Sequence, residues 1–230
     1  MEDADMPGKR DFVIVHGAWT GSWSWQRVVD RLHAKGHRAF APTLTGLCEK
    51  SHLLTPAVNL DTHIDDIVNE MVWKDLTDVV LVAHSYGGIV GTGVIERVPE
   101  RIASVVYLEA FIPEDGQSFA SMAPDMTFEG LSIPPFESGV GDYLREEDRA
   151  WSNSKASPHP TASFTQPLKV TGAYERVAKK TFIVATGWDA FAKEADKHRK
   201  PGWTVREIAC GHDAPIDMPD ELTDMLIEAA

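Results

Sequence analysis

The run Val79-Val80-Leu81-Val82-Ala83-His84-Ser85-Tyr86-Gly87-Gly88 sets one serine between an apolar stretch and a group of glycines. A hydroxyl there can attack a carbonyl, because a sharp strand-to-helix turn lifts it clear of a sheet. Such a turn needs small residues two before and two after the serine, where neighbouring backbone approaches closely. Ala83 and Gly87 occupy those places, alanine replacing the glycine usual at the first. A small-x-Ser-x-Gly pentapeptide recurs by chance, so the flanking strand and helix patterns carry the weight.

A serine hydroxyl is a poor nucleophile near neutral pH and needs an adjacent base. Of the nine histidines, His84 precedes Ser85 on a strand, so its side chain is expected to point elsewhere. His33, His37, His52, His63 and His198 lie on or beside predicted helices and loops, where solvated positions are expected. His212, just past the last predicted strand in Cys210-Gly211-His212-Asp213, is the candidate base. Parallel strands end at one edge of their sheet, so Ser85 and His212 share that edge. Asp213 reads as a turn or helix-cap residue.

A base of this kind needs a buried carboxylate to fix its tautomer. Glu109, directly after the strand that follows the nucleophile helix, is favoured. Asp189, four residues beyond the next strand, is the alternative acid, although it could also cap a helix beginning near Ala190. Both keep the order serine, acid, histidine. Developing negative charge would be met by two backbone N–H groups. One is that of Tyr86 at a helix N-terminus. The other is that of Ala18 in the turn His16-Gly17-Ala18-Trp19.

The elements that must position these groups alternate. Candidate strands are Phe12–Val15, Arg38–Ala41, Val79–Ala83, Ile102–Leu108, Thr181–Ala185 and Val205–Ala209, most of them rich in Val, Ile and Phe and apolar on both faces, as buried parallel strands should be. Trp25, Val28, Val29 and Leu32 form one helical stripe, with Ser22 or Ser24 as N-cap and Gly36 as stop. Ile64, Ile67, Val68, Met71 and Val72 form a second, and Leu222, Met225 and Leu226 a third after Pro219. The expectation is an α/β fold: a mostly parallel six-stranded sheet with helices on both faces. From about 111 to 180 the alternation stops, while Phe119, Met122, Met126, Phe128, Phe136, Tyr143 and Trp151 accumulate. A structureless loop of that length would be unusual, so this interval reads as a helical cap inserted into a single domain spanning 1–230. Its aromatic and methionine content points to a largely apolar pocket.

Composition narrows the function. The net charge of −13 disfavours nucleic acid, whose phosphates need clustered Lys and Arg. No polybasic run or transmembrane-length stretch points to a membrane. Met1–Arg10 is polar and the apolar run after it is too short for a signal peptide, so a cytoplasmic location is expected. Two cysteines, Cys48 and Cys210, imply no disulfide framework and have no metal-ligand spacing. Neither a metal nor a cofactor is expected, and the sequence leaves room for a homodimer.

The segments "FVIVHGAWTGSWSW", "PTLTGL", "DVVLVAHSYGG", "PERIASVVYLEAFIPEDG" and "CGHDAPIDMPDEL" together resemble the α/β-hydrolase superfamily. The likeness is to its cofactor-free branch of plant methylesterases, hydroxynitrile lyases and bacterial esterases acting on pyrethroids or carbamates. "SFTQPLKVTG" also resembles the bacterial members. The resemblance implies Ser85 as nucleophile, His212 as base and Ala18 with Tyr86 as oxyanion donors. Plant members usually place their acid near Asp189, and other branches where Glu109 stands. The strands that usually precede the His-Gly strand are missing, which implies a reduced form of the fold. The implied activity is hydrolysis of a small, largely apolar carboxylic ester, carbamate or lactone through an acyl-enzyme. Two alternatives are a C–C lyase of the hydroxynitrile-lyase kind and a ligand-binding or receptor protein. The similar lyases carry threonine at Gly17 and lysine beside the catalytic histidine, and this chain has neither.

Overall fold

The computed structural model describes residues 8–230, so most of the polar N-terminal stretch lies outside the described residues. Six strands form one sheet: β1 (Asp11–Val15), β2 (Arg38–Phe40), β3 (Val79–His84), β4 (Ile102–Leu108), and, after the inserted segment, β7 (Lys179–Ala185) and β8 (Thr204–Ile208). Their order is β2-β1-β3-β4-β7-β8 and every pairing is parallel. The order reverses between β1 and β3, which opens a crevice beyond their C-terminal ends.

Alternation along the strands explains why both sheet faces are apolar. Val13, Val15, Leu81, Ala83, Val105 and Tyr107 face one core, completed by α2 (Leu60–Val72) and α3 (Gly87–Arg97). Phe12, Ile14, Val80, Val82, Val106 and Leu108 face the other, covered by α1 (Gln26–Ala34) and α9 (Pro219–Glu228). The stripe Trp25, Val28, Leu32 packs with Leu222 and Leu226 there. Helix α1 starts later than its serines suggest, because a 3₁₀ turn over Ser22–Trp25 precedes it. Gly36 ends it in a left-handed conformation, φ +86°.

Between β4 and β7 the chain forms α4 (Phe119–Met122), α5 (Glu146–Lys155) and α6 (Thr161–Thr165). It also contains a short antiparallel pair, β5 (Ser132–Ile133) with β6 (His159–Pro160), which an all-helical reading omits. This segment is fixed to the body by an ion pair. Arg27 of α1 makes a two-pronged contact with Asp148 of α5 at 2.6 and 3.0 Å, and Arg145 joins at 2.7 Å. Asp148 is buried, and its hydrogen bonds to Arg27 hold its carboxyl below the usual range.

Close approach at the start of α3 decides how far the strand ends converge. A Cβ on Gly87 would sit 2.6 Å from the Val15 carbonyl oxygen, and one on Gly88 would sit 2.3 Å from that of Phe111. Alanine would gain up to about 1 kcal/mol of helix propensity at Gly88. Overpacking against backbone costs about 1–3 kcal/mol or more, so the steric effect wins. Gly88→Ala is therefore expected to lower the urea midpoint with an unchanged m-value; an equal or higher midpoint would show that Phe111 can yield freely.

Candidate active site

Ser85 is the residue after β3, and its φ of +56° is left-handed. Such a conformation costs a non-glycine residue about 1–3 kcal/mol and persists only where neighbours enforce it. Here the Ser85 N–H donates to Leu108 O at 3.2 Å. The Ser85 carbonyl accepts from the N–H groups of Gly88 at 2.9 Å and Phe111 at 3.2 Å. The backbone is thus locked between the ends of β3 and β4, with the side chain at the floor of a cavity.

The structure brings Glu109 and His212 together. Glu109 follows β4, is 0% exposed and has φ +45°. Its Oε1 accepts the Ala185 N–H at 2.6 Å. Its Oε2 faces His212 Nδ1 at 3.5 Å, and among the described residues neither atom has another polar partner. Paired groups in empty active sites often stand this far apart and tighten when substrate binds. Asp189 is not brought to this pair. It is exposed, and its carbonyl accepts the Ala192 N–H just before α7 (Ala192–Lys197).

His212 is held on several sides. Phe191 stacks on its ring at 5.7 Å and 9°, and Trp188 meets it edge-on at 4.6 Å. His84 is closer to the site than its strand position suggests. Its Nε2–H donates to the His212 carbonyl at 3.0 Å, with the two rings 4.7 Å apart. Asp213 precedes α8 (Ala214–Asp217) without capping it through its side chain, which instead accepts a hydrogen bond from the Tyr143 hydroxyl.

Ala18 lines the same cavity, and Tyr86 follows Ser85 at the start of α3. Among the described residues neither amide N–H has a backbone acceptor, so both are free to meet an anion. The Gly17 carbonyl, in the same peptide plane as the Ala18 N–H, accepts from His16 Nδ1–H at 2.8 Å and Thr20 Oγ1 at 3.2 Å. A trans peptide points its N–H opposite its C=O, so these two bonds aim the Ala18 N–H. The Tyr86 side chain is buried, its hydroxyl 2.9 Å from His63 Nδ1, while His63 Nε2–H donates to Thr45 O at 2.9 Å.

The cavity has a volume of about 1210 Å³. Its floor holds Ser85, His212 and Gly17–Trp19, and its walls include Phe111, Phe119, Met122, Met126, Phe136 and Trp188. Among the described residues no group of three or more His, Cys, Asp or Glu could hold a metal ion. No described helix is long and apolar enough to cross a membrane.

The family model of the alpha/beta hydrolase family matches residues 12–225. A carbendazim-hydrolyzing esterase of Nocardioides sp. (strain SG-4G) is 36% identical over 244 residues, covering 94% of this chain and 98% of its own. Methylesterase 10 of Arabidopsis thaliana is 27% identical over 251 residues, covering 95% and 91%. The solved structure of an extracellular alpha/beta-hydrolase from a Paenibacillus species superposes with a TM-score of 0.82 at 22% identity, covering 96% and 99%, which shows a shared fold.

Sequence position gave no sign that His37, His63 and His198 are buried rather than solvated. Burial pushes His16 and His63 each down to about 4. The unfolded chain, with imidazoles near 6.5, then binds more protons than the folded one between pH 6.5 and 4. Stability is therefore full above pH 6.5 and is lost as pH falls toward 4. In urea titrations across this range, His63→Gln is expected to flatten the slope by about one proton relative to wild type. An unchanged slope would mean that His63 does not stay neutral in the folded protein.

Proposed function

The chain belongs to the alpha/beta hydrolase family and is an esterase-type enzyme, and on that premise we propose that it is a serine hydrolase acting through an acyl-enzyme. Ser85 attacks the ester carbonyl while His212 takes its proton. The Ala18 and Tyr86 N–H groups hold the oxyanion, and His212 then returns the proton to the departing alcohol. Water activated by the same imidazole releases the acid. Glu109 fixes the His212 tautomer, with Nδ1–H toward Oε2, and stabilises the imidazolium.

One observation carries this reading: Oε2 of the fully buried Glu109 faces His212 Nδ1, and among the described residues neither of these two atoms has another polar partner. A lone carboxylate in an apolar core is costly, which favours a pairing with chemical purpose. The exposure of Asp189 leaves it without the burial that gives such a pairing strength. For the substrate, the aromatic and methionine walls favour a small, largely apolar molecule carrying an ester or a carbamate. With a carbamate the intermediate is a carbamoyl-enzyme on the same residues.

A chromogenic short-chain ester tests the scheme. A stoichiometric burst followed by turnover is expected from wild type and neither from Ser85→Ala. Turnover persisting in Ser85→Ala would refute the nucleophile, and its absence in wild type on any ester would favour a binding protein. Glu109→Gln is expected to lower kcat/KM on the order of 10³–10⁴-fold. Asp189→Asn, a surface change, should alter it by less than about threefold. The reverse pattern would move the acid to Asp189.

A further inference from the structure

Trp19, the residue after the oxyanion donor Ala18, has a left-handed backbone, φ +61°. A bulky aromatic residue adopts that conformation only under external constraint. The constraint comes from 114 to 140 residues away in sequence, in the segment between β4 and β7. The Trp19 N–H donates to His159 Nδ1 at 3.3 Å. The Trp19 carbonyl accepts the Ser157 N–H at 2.9 Å. The indole N–H donates to Ile133 O at 3.1 Å. Three consecutive peptide planes are thereby pinned: Gly17–Ala18 by His16 and Thr20, Ala18–Trp19 by His159, and Trp19–Thr20 by Ser157.

His159 is built to accept. It is 0% exposed and stacked on Phe164 at 4.0 Å and 3°. Its Nε2 lies 3.0 Å from Ser163 Oγ, whose own proton goes to Pro160 O at 2.8 Å. The serine oxygen can only accept from the ring, so the proton sits on Nε2 and the Nδ1 lone pair is left for Trp19. Burial beside His63 and His16 keeps this imidazole neutral.

We propose that His159, with the Ser157 amide, is a positioning residue that holds the left-handed Trp19 and so keeps the Ala18 N–H aimed at the oxyanion. The inserted segment thereby completes the oxyanion hole as well as walling the cavity. This rests on the serine-hydrolase reading, with Ala18 as donor. Because an oxyanion exists only near the transition state, the contribution belongs in kcat and not in KM.

The test compares two substitutions of similar size. His159→Asn keeps a side-chain oxygen near the Nδ1 position, and His159→Leu has no acceptor. Each is assayed for kcat and KM on the chromogenic ester and for affinity toward a trifluoromethyl ketone. Ser85 adds to that ketone to give a tetrahedral oxyanion, its proton passing to His212. His159→Leu is expected to lower kcat and ketone affinity together, on the order of 10–100-fold, with KM within about twofold. His159→Asn is expected to recover most of both. Ser157→Pro, which removes the amide donor and also the Oγ that accepts the Cys48 N–H, is read against Ser157→Ala, which removes Oγ alone. Only the proline variant should reproduce the kcat and ketone losses, and the pair keeps the test open if the leucine variant does not fold. Equal kcat in the Leu and Asn variants, a loss confined to KM, or wild-type kcat in Ser157→Pro would overturn the proposal. Turnover that survives Ser85→Ala would instead remove the reading beneath it, and the wild-type control separates the two.

Discussion

A carboxyl group with no exposed surface stands at the end of β4, and the arrangement of the sheet's C-terminal edge follows from how this buried polar group is met. Burying a lone carboxylate costs several kcal/mol even after the protein relaxes. Glu109 offsets this by taking the Ala185 N–H on one oxygen and facing His212 with the other. Ala185 ends β7, and His212 lies four residues beyond β8. One side chain thus bonds the end of β7 and faces the imidazole beyond β8, so three chain segments meet at it. The His84 bond to the His212 carbonyl secures the backbone behind that ring.

The same edge carries a symmetry in its backbone. His84 and Leu108 are register partners on neighbouring strands. The next residue on each, Ser85 and Glu109, turns left-handed, φ +56° and +45°. Two strands therefore kink at one level, and each kink is held by bonds from its neighbour: Ser85 N–H to Leu108 O, Glu109 N–H to Ile183 O. The strain, about 1–3 kcal/mol per residue, is local, whereas the enforcing bonds are spread over three strands. This is how a sheet projects two polar side chains past its rim without loosening the rim itself.

Much of this was readable from the chain because the signals are local. The four central strands announce themselves as short runs rich in Val, Ile and Phe, whereas the edge strands β2 and β8 are only partly apolar, and Ser85 lies where one central run meets glycines. That Glu109 is the buried acid of the two and Asp189 the exposed one could be read from the chain, because Glu109 abuts the strand and inherits the burial of the core. What stayed hidden depends on distant partners. His63 is buried because the Tyr86 hydroxyl and the Thr45 carbonyl complete its hydrogen bonds, and helical periodicity carries no trace of either. The role of His84 was hidden because its side chain reaches a backbone carbonyl 128 residues away. The β5–β6 pair is two residues long on each side, too short for any alternation to register.

The cavity walls bear on selectivity. Phe119, which lines the cavity, belongs to a mutually packed aromatic group with Phe128, Phe164 and Tyr86, so this part of the wall is backed by packed rings. Excluding water from such a space strengthens every charge interaction made at Ser85, since the local dielectric falls. The same walls limit discrimination. An apolar pocket distinguishes substrates differing by one methylene by only about 1–3 kcal/mol, whereas a buried hydrogen-bonding group can reject a mismatched one far more strongly. Under the proposed mechanism, the apolar part of this cavity sorts substrates chiefly by volume and shape, and the strictest demand falls on the carbonyl placed between the Ser85 hydroxyl and two backbone N–H groups.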